Sequence, residues 1–237
     1  MLFPFRDDNP TLRQPVATVG LIVANVLVFL FQLSLPGAAG ERFIYAYGMI
    51  PAVLFGEAQL APSVAAVPPW FTIFSSMFLH GSIMHIAGNM LFLWVFGNNI
   101  EDAMGHARFV VFYLVCGIAA ALAQAMIDPD STVPMVGASG AISGVLGAYL
   151  VLHPYAHVHS LLFLGFFVRV ITLPAMIVLG LWFVLQVINA MVVETEGGGV
   201  AFMAHVGGFI AGAVLVPLFR ERRVVRWGGR KRRGPWG

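Results

Sequence analysis

The sequence predicts an all-α membrane protein, a bundle of six transmembrane helices with an interfacial hairpin between the first and second spans. Three observations predict it. Of the 237 residues 59% are hydrophobic and only 10% charged, with a mean hydropathy of +0.87, whereas a soluble domain carries about a quarter charged residues. Apolar runs near the ~20 residues that cross a bilayer core recur along the chain. Basic residues gather at the two ends and in alternate connections.

Spans are expected at 15–35, 82–100, 108–127, 139–152, 171–192 and 200–218. The first follows the polar opening Arg6-Asp7-Asp8-Asn9-Pro10 and is long enough to cross without a cleavage site, so it does not read as a signal peptide. Residues 36–79 are too apolar for a solvated loop but are interrupted by Pro51, Pro62, Pro68 and Pro69. An embedded hairpin with Trp70 and the tyrosines at headgroup level accounts for both features. The apolar run 161–193 is too long for one span and too short for two; Arg169 and Pro174 put its first ten or so residues at the surface. Cys116 is the sole cysteine, which excludes an intramolecular disulfide.

An even number of spans puts both termini on one side, together with twelve of the thirteen basic residues; Arg42 alone lies opposite. The excess of positive charge makes that side cytoplasmic. The chain then divides into a cytoplasmic segment 1–14, a membrane domain 15–219 and a basic cytoplasmic tail 220–237. Beside a membrane core the tail fits anionic lipid better than nucleic acid, so no nucleic-acid partner is expected. A bacterial inner membrane is the expected location.

Polar groups inside a bilayer are costly and so are functional candidates. No Asp or Glu falls within an expected span, which excludes a two-carboxylate protease and disfavours proton-coupled transport. His-Glu-x-x-His is absent, so no metal site is expected. His80, His85 and Asn89 around the second span, Ser139 and Ser143 on the fourth, and His205 on the sixth remain. The fourth span has about 14 residues, climbing about 21 Å, so Ser139 lies about 10 Å below the outer face of a ~30 Å core. His205 and Asn89 fall at similar depth, with His85 one turn above Asn89. Singly each has an ordinary explanation in packing or backbone bonding; the shared layer favours a site. Gly140 and Gly144, facing Gly208 and Gly212, are small residues at intervals that let membrane helices approach closely.

These blocks resemble the rhomboid family of intramembrane serine proteases. The second span carries His80…His85-x-x-x-Asn89, the fourth opens Gly137-Ala138-Ser139-Gly140, and the sixth holds Ala204-His205-Val206-Gly207-Gly208 with Gly212 after it. The resemblance implies a rhomboid-like bundle with Ser139 as nucleophile and His205 as general base and acid. It implies an oxyanion hole of His85, Asn89 and the Ser139 N–H, with no cofactor. Gly137, Gly140, Gly208, Gly212 and His80 would support the site, and single-span membrane proteins would be the substrates. A serine hydroxyl needs an adjacent base, and histidine titrates in the required range. Two departures stand out. Trp70 is followed by Phe71 rather than the arginine that many members carry. Ser143 occupies a position where some members place an aromatic ring on the histidine, leaving open what orients His205. Gly197-Gly198-Gly199 reads as a hinge for a lid. The alternatives are a catalytically silent member that binds membrane clients and, further off, a small transporter.

Overall fold

The computed structural model describes residues 2–164, 167–192 and 200–221. In chain order come strand β1 (Leu2–Asp7), helices α1 (Val16–Ser34), α2 (Ala38–Tyr47), α3 (Pro51–Phe55), α4 (Thr72–Ser75), α5 (Ile83–Met104), α6 (His106–Ile127) and α7 (Ser139–Leu152). Strands β2 (His157–Leu164) and β3 (Phe167–Pro174) follow, then α8 (Ala175–Val192) and α9 (Phe202–Phe219). By length and composition α1, α6, α8 and α9 can cross a membrane. The count is five if α5 is joined to the segment Pro69–Phe78, which meets it at 80°. The chain is thus a mostly helical, multi-pass integral membrane protein.

Local chemistry sets the boundaries. The Ser82 hydroxyl caps α5 by accepting the His85 N–H at 3.1 Å. Gly105, at φ +79°, turns the chain from α5 into α6, a conformation open to glycine at little cost. Helix α7 stops at His153-Pro154, since proline disfavours helix at the preceding residue. Helix α1 starts on the fully buried carboxylate of Glu101, which accepts the N–H groups of Ala17 and Thr18, each at 2.8 Å, and the Thr18 hydroxyl at 2.7 Å. A carboxylate there satisfies orphan donors and complements the helix dipole. His106 contacts the same carboxylate.

Helix α7 is the centre of the bundle, packed by α9, α6 and α5, and Tyr113, Tyr149, Phe96, Phe109 and Phe112 fill the space around it with no exposure. Helix α8 is peripheral. Ala175, Val178 and Leu179 are buried, while Leu181, Val184, Leu185 and Ile188 face outward, as expected of a helix bathed by lipid.

The expectation of an all-α protein is corrected. β1, β2 and β3 form an antiparallel sheet in that order, with Phe3 opposite Leu161 and Leu162 opposite Arg169. Apolar residues on both faces of 157–174 conceal the two-residue alternation of a strand. β3 takes residues 171–174, so the expected fifth span begins at Ala175 instead, and a run too long for one crossing divides into a strand and a helix. Between α1 and α5 the chain forms α2, α3 and α4 with 3₁₀ turns at Pro69–Phe71 and Ser76–Phe78. The glycine run 197–199 and the tail from Arg222 onward lie outside the described residues.

Candidate active site

The loop before α7 is tied down on both sides. Met49 and Met135 exchange backbone hydrogen bonds at 3.1 and 2.8 Å, and the Gly137 N–H donates to the Ser76 carbonyl at 2.9 Å. Gly137 has φ +128°, a conformation L side chains rarely adopt, and a Cβ there would come within 2.8 Å of the His85 ring. Glycine is therefore favoured by conformation, and any larger residue would also displace the His85 ring. The chain then enters α7 at Ser139, where helix N–H groups lack internal acceptors and the dipole favours negative charge.

Backbone-to-backbone packing brings α9 against α7. A Cβ on Gly208 would lie 2.1 Å from the Gly140 carbonyl oxygen, and one on Gly212 would lie 1.9 Å from that of Gly144. A Cβ on Gly140 would meet Ala120 on α6 at 2.6 Å. No other residue fits these positions without moving a helix. The approach places His205 Nε2 2.8 Å from Ser139 Oγ, a normal hydrogen-bond length. Ser139 is half-buried and His205 buried. Both line a cavity of about 680 Å³ that His85, Asn89, Gln124 and Trp182 also line.

His85 and Asn89 face this cavity from α5. Asn89 is buried, and its Nδ2 has no hydrogen-bond partner among the described residues. A buried donor left unpaired costs about 1–3 kcal/mol. His80 sits deeper. Its backbone N–H and carbonyl pair with the two ends of the Gln32 amide, both at 3.1 Å, and its ring lies edge-on to Phe29 and His85. Ser143 turns away from the cavity chemistry: its hydroxyl donates to the Ser139 carbonyl at 2.6 Å, the usual fate of a helix serine.

Sequence reasoning missed Gln186 and Trp182 on α8. Gln186 Oε1 lies 2.8 Å from His205 Nδ1, and the Trp182 ring is 5.8 Å from the imidazole, tilted 35°. The signal available was an amide in an otherwise apolar span, which the cost of polar groups in a bilayer marks as readily as it marks a histidine. Gln124 on α6 was passed over in the same way; its Oε1 accepts the Ala204 N–H at 3.3 Å.

Comparison with known proteins decides the family. The Rhomboid domain profile matches residues 68–222. The chain belongs to the rhomboid family. Ser139, His205, His85 and Asn89 all fall within this rhomboid domain. Similar rhomboids include Rhomboid protease AarA of Providencia stuartii, 31% identical over 216 residues, 84% of this chain and 70% of that protein. Rhomboid protease GluP of Bacillus subtilis is 31% identical over 137 residues, 58% of this chain and 24% of that one. Rhomboid protein 1, mitochondrial, of Saccharomyces cerevisiae is 32% identical over 150 residues, 60% and 40% respectively. The chain therefore spans about a quarter of the GluP relative and two fifths of the yeast one.

Proposed function

We propose that this rhomboid is an intramembrane serine endopeptidase that hydrolyses peptide bonds in or near the membrane segments of single-span proteins. The observation that carries the reading is the 2.8 Å hydrogen bond between Ser139 Oγ and His205 Nε2 at the mouth of a helix N-terminus. In the first step His205 Nε2 accepts the hydroxyl proton as Oγ attacks the substrate carbonyl carbon. The carbonyl oxygen becomes an oxyanion, which the Ser139 N–H, Asn89 Nδ2 and His85 stabilise by hydrogen bonds or positive dipole. The unpaired Asn89 donor supports this role, because an oxyanion supplies the acceptor it lacks. His205 then returns the proton to the leaving amine and the C–N bond breaks. Water, deprotonated by the same nitrogen, releases the acyl group from Ser139.

The six-span bundle belongs to this reading, with α1, α5, α6, α7, α8 and α9 as the crossings and the 36–79 segment as the interfacial hairpin. So do cytoplasmic termini, a bacterial inner membrane, and anionic lipid at the basic tail. The fourteen-residue α7, about 21 Å long, falls short of a ~30 Å core, which supports a serine set below the surface and reached by water through the cavity. The test is reaction of the purified chain in bilayers with a fluorophosphonate, alongside a panel of single-span substrates. Ser139→Ala is expected to abolish labelling and cleavage, and His205→Ala to reduce both nearly to nothing. Labelling that survives Ser139→Ala, or cleavage that persists in both variants, would overturn the proposal.

A further inference from the structure

The ring of His205 is held from α8. Its Nδ1 lies 2.8 Å from Gln186 Oε1. The other end of that amide, Nε2, points back one turn to the Trp182 carbonyl at 3.4 Å. A backbone carbonyl only accepts, so the amino end of Gln186 belongs there and the carbonyl end belongs at the imidazole. The Gln186 carbonyl also only accepts, so Nδ1 must carry the ring proton. A neutral imidazole has one N–H, and Nε2 is left with its lone pair toward Ser139 Oγ, 2.8 Å away. That tautomer is the one able to take a proton from serine. The opposite tautomer would require the amide to turn over and set its carbonyl oxygen against that of Trp182. Trp182 and Phe202, with rings 5.8 and 6.4 Å from the imidazole, limit its rotation.

We propose that Gln186 is a positioning residue for His205, its side-chain carbonyl holding the imidazole as the Nδ1–H tautomer with Nε2 aimed at Ser139. The inference rests on the serine-protease reading above. Among the described residues the hydrogen-bond partners of the ring are Ser139 and Gln186, so the amide stands where a carboxylate stands in a catalytic triad. It fixes orientation and tautomer without placing a negative charge in the bilayer. An amide is also the less costly group to hold at that depth.

The test uses the full chain in nanodiscs with ¹⁵N-labelled histidine. The parent should show His205 as a single Nδ1–H tautomer. Gln186→Leu removes the acceptor at nearly constant volume. It should give a mixture of tautomers and slow Ser139 labelling at least tenfold, with kcat falling and KM little changed. The loss should stay well short of the ~10⁴-fold seen when a triad aspartate becomes an asparagine and imposes the wrong tautomer, because here both forms stay accessible. Gln186→Asn, which withdraws the amide by about 1.5 Å while keeping its polarity, should show the same loss if the leucine variant does not fold. Gln186→Glu, which restores an acceptor, should recover the single tautomer and labelling within a few-fold of the parent. If the parent itself shows no Ser139-dependent labelling, the protease reading fails and the positioning role goes with it. If the parent is labelled, and the leucine or asparagine variant keeps the parent's rate and single tautomer, Gln186 has no positioning role and the dyad stands without it.

Discussion

Gly212→Ala tests whether the contact between α7 and α9 sets the distance on which the proposed chemistry depends. The added Cβ would lie 1.9 Å from the Gly144 carbonyl oxygen, 2.5 Å from its carbon and 2.6 Å from its Cα. Ordinary contact begins near 3.4 Å, and all three neighbours are backbone atoms that no rotamer change can clear. α9 must therefore move away from α7 by about 1.5 Å near this point. His205 lies two turns away on the same rigid helix, so most of that displacement reaches it. The 2.8 Å bond to Ser139 then stretches beyond hydrogen-bond range. A misplacement of about 1 Å costs about 10²-fold in rate, and overpacking costs about 1–3 kcal/mol in stability. Gly212→Ala is expected to slow fluorophosphonate labelling of Ser139 at least about 10²-fold and to lower the melting temperature. Gly180→Ala and Gly20→Ala, where nothing lies within 4 Å of the new Cβ, should leave both unchanged. Labelling of Gly212→Ala at the parent rate would refute the argument, since it would show that the helices can part without disturbing the site.

Three further outcomes are expected. Asn89→Ala and His85→Ala should each slow labelling and cleavage about 10²–10³-fold with the melting temperature little changed; full activity in both would leave these side chains as packing alone. Glu101→Ala strips the acceptor from two N–H groups and the Thr18 hydroxyl at the start of α1, and should cost about 2–3 kcal/mol in thermal unfolding without altering the Ser139–His205 geometry. Burial pushes the Asp7 carboxyl up to about 6, against hydrogen bonds from Tyr149 and Asn99 that pull it down. A carboxyl whose pKa rises on folding favours the folded state when protonated. Its contribution is complete below about pH 4 and is lost as pH rises through about 6, up to about 3 kcal/mol. The hydrogen-exchange protection factors of β1, corrected for the intrinsic rise of exchange with pH, should therefore fall across that window in the parent, and Asp7→Asn should flatten the dependence.

What was legible in the sequence follows from where each interaction partner lies along the chain. Helix α7 begins and ends where the sequence analysis placed it, because its limits are local: a glycine in a conformation other residues avoid on one side, and proline on the other. His85 and Asn89 are four residues apart, so their common face can be read without any knowledge of neighbours. The glycines of α7 and α9 announce by their spacing the close contact of these two helices. Glu101 lies one residue beyond the span expected for α5, and its role depends on the start of α1, more than eighty residues earlier. The sheet was hidden for a related reason. A strand is recognised by alternation, and alternation fails where both faces are apolar and the pairing partner, β1, sits at the far end of the chain. Gln186 is the most informative omission. The cost of a polar group in lipid marked it as plainly as it marked Asn89, another amide, yet Gln186 belongs to none of the motifs that pointed to the site. Its meaning emerges only once α8 and α9 lie side by side. The carbonyl of Trp182, a residue on its own helix, then orients the amide, and the amide in turn presents a lone pair to the proton on His205. That order of events separates the two kinds of site residue in this rhomboid. The groups proposed to meet substrate were legible from their own chemistry, whereas the group proposed to orient them became legible only from the fold.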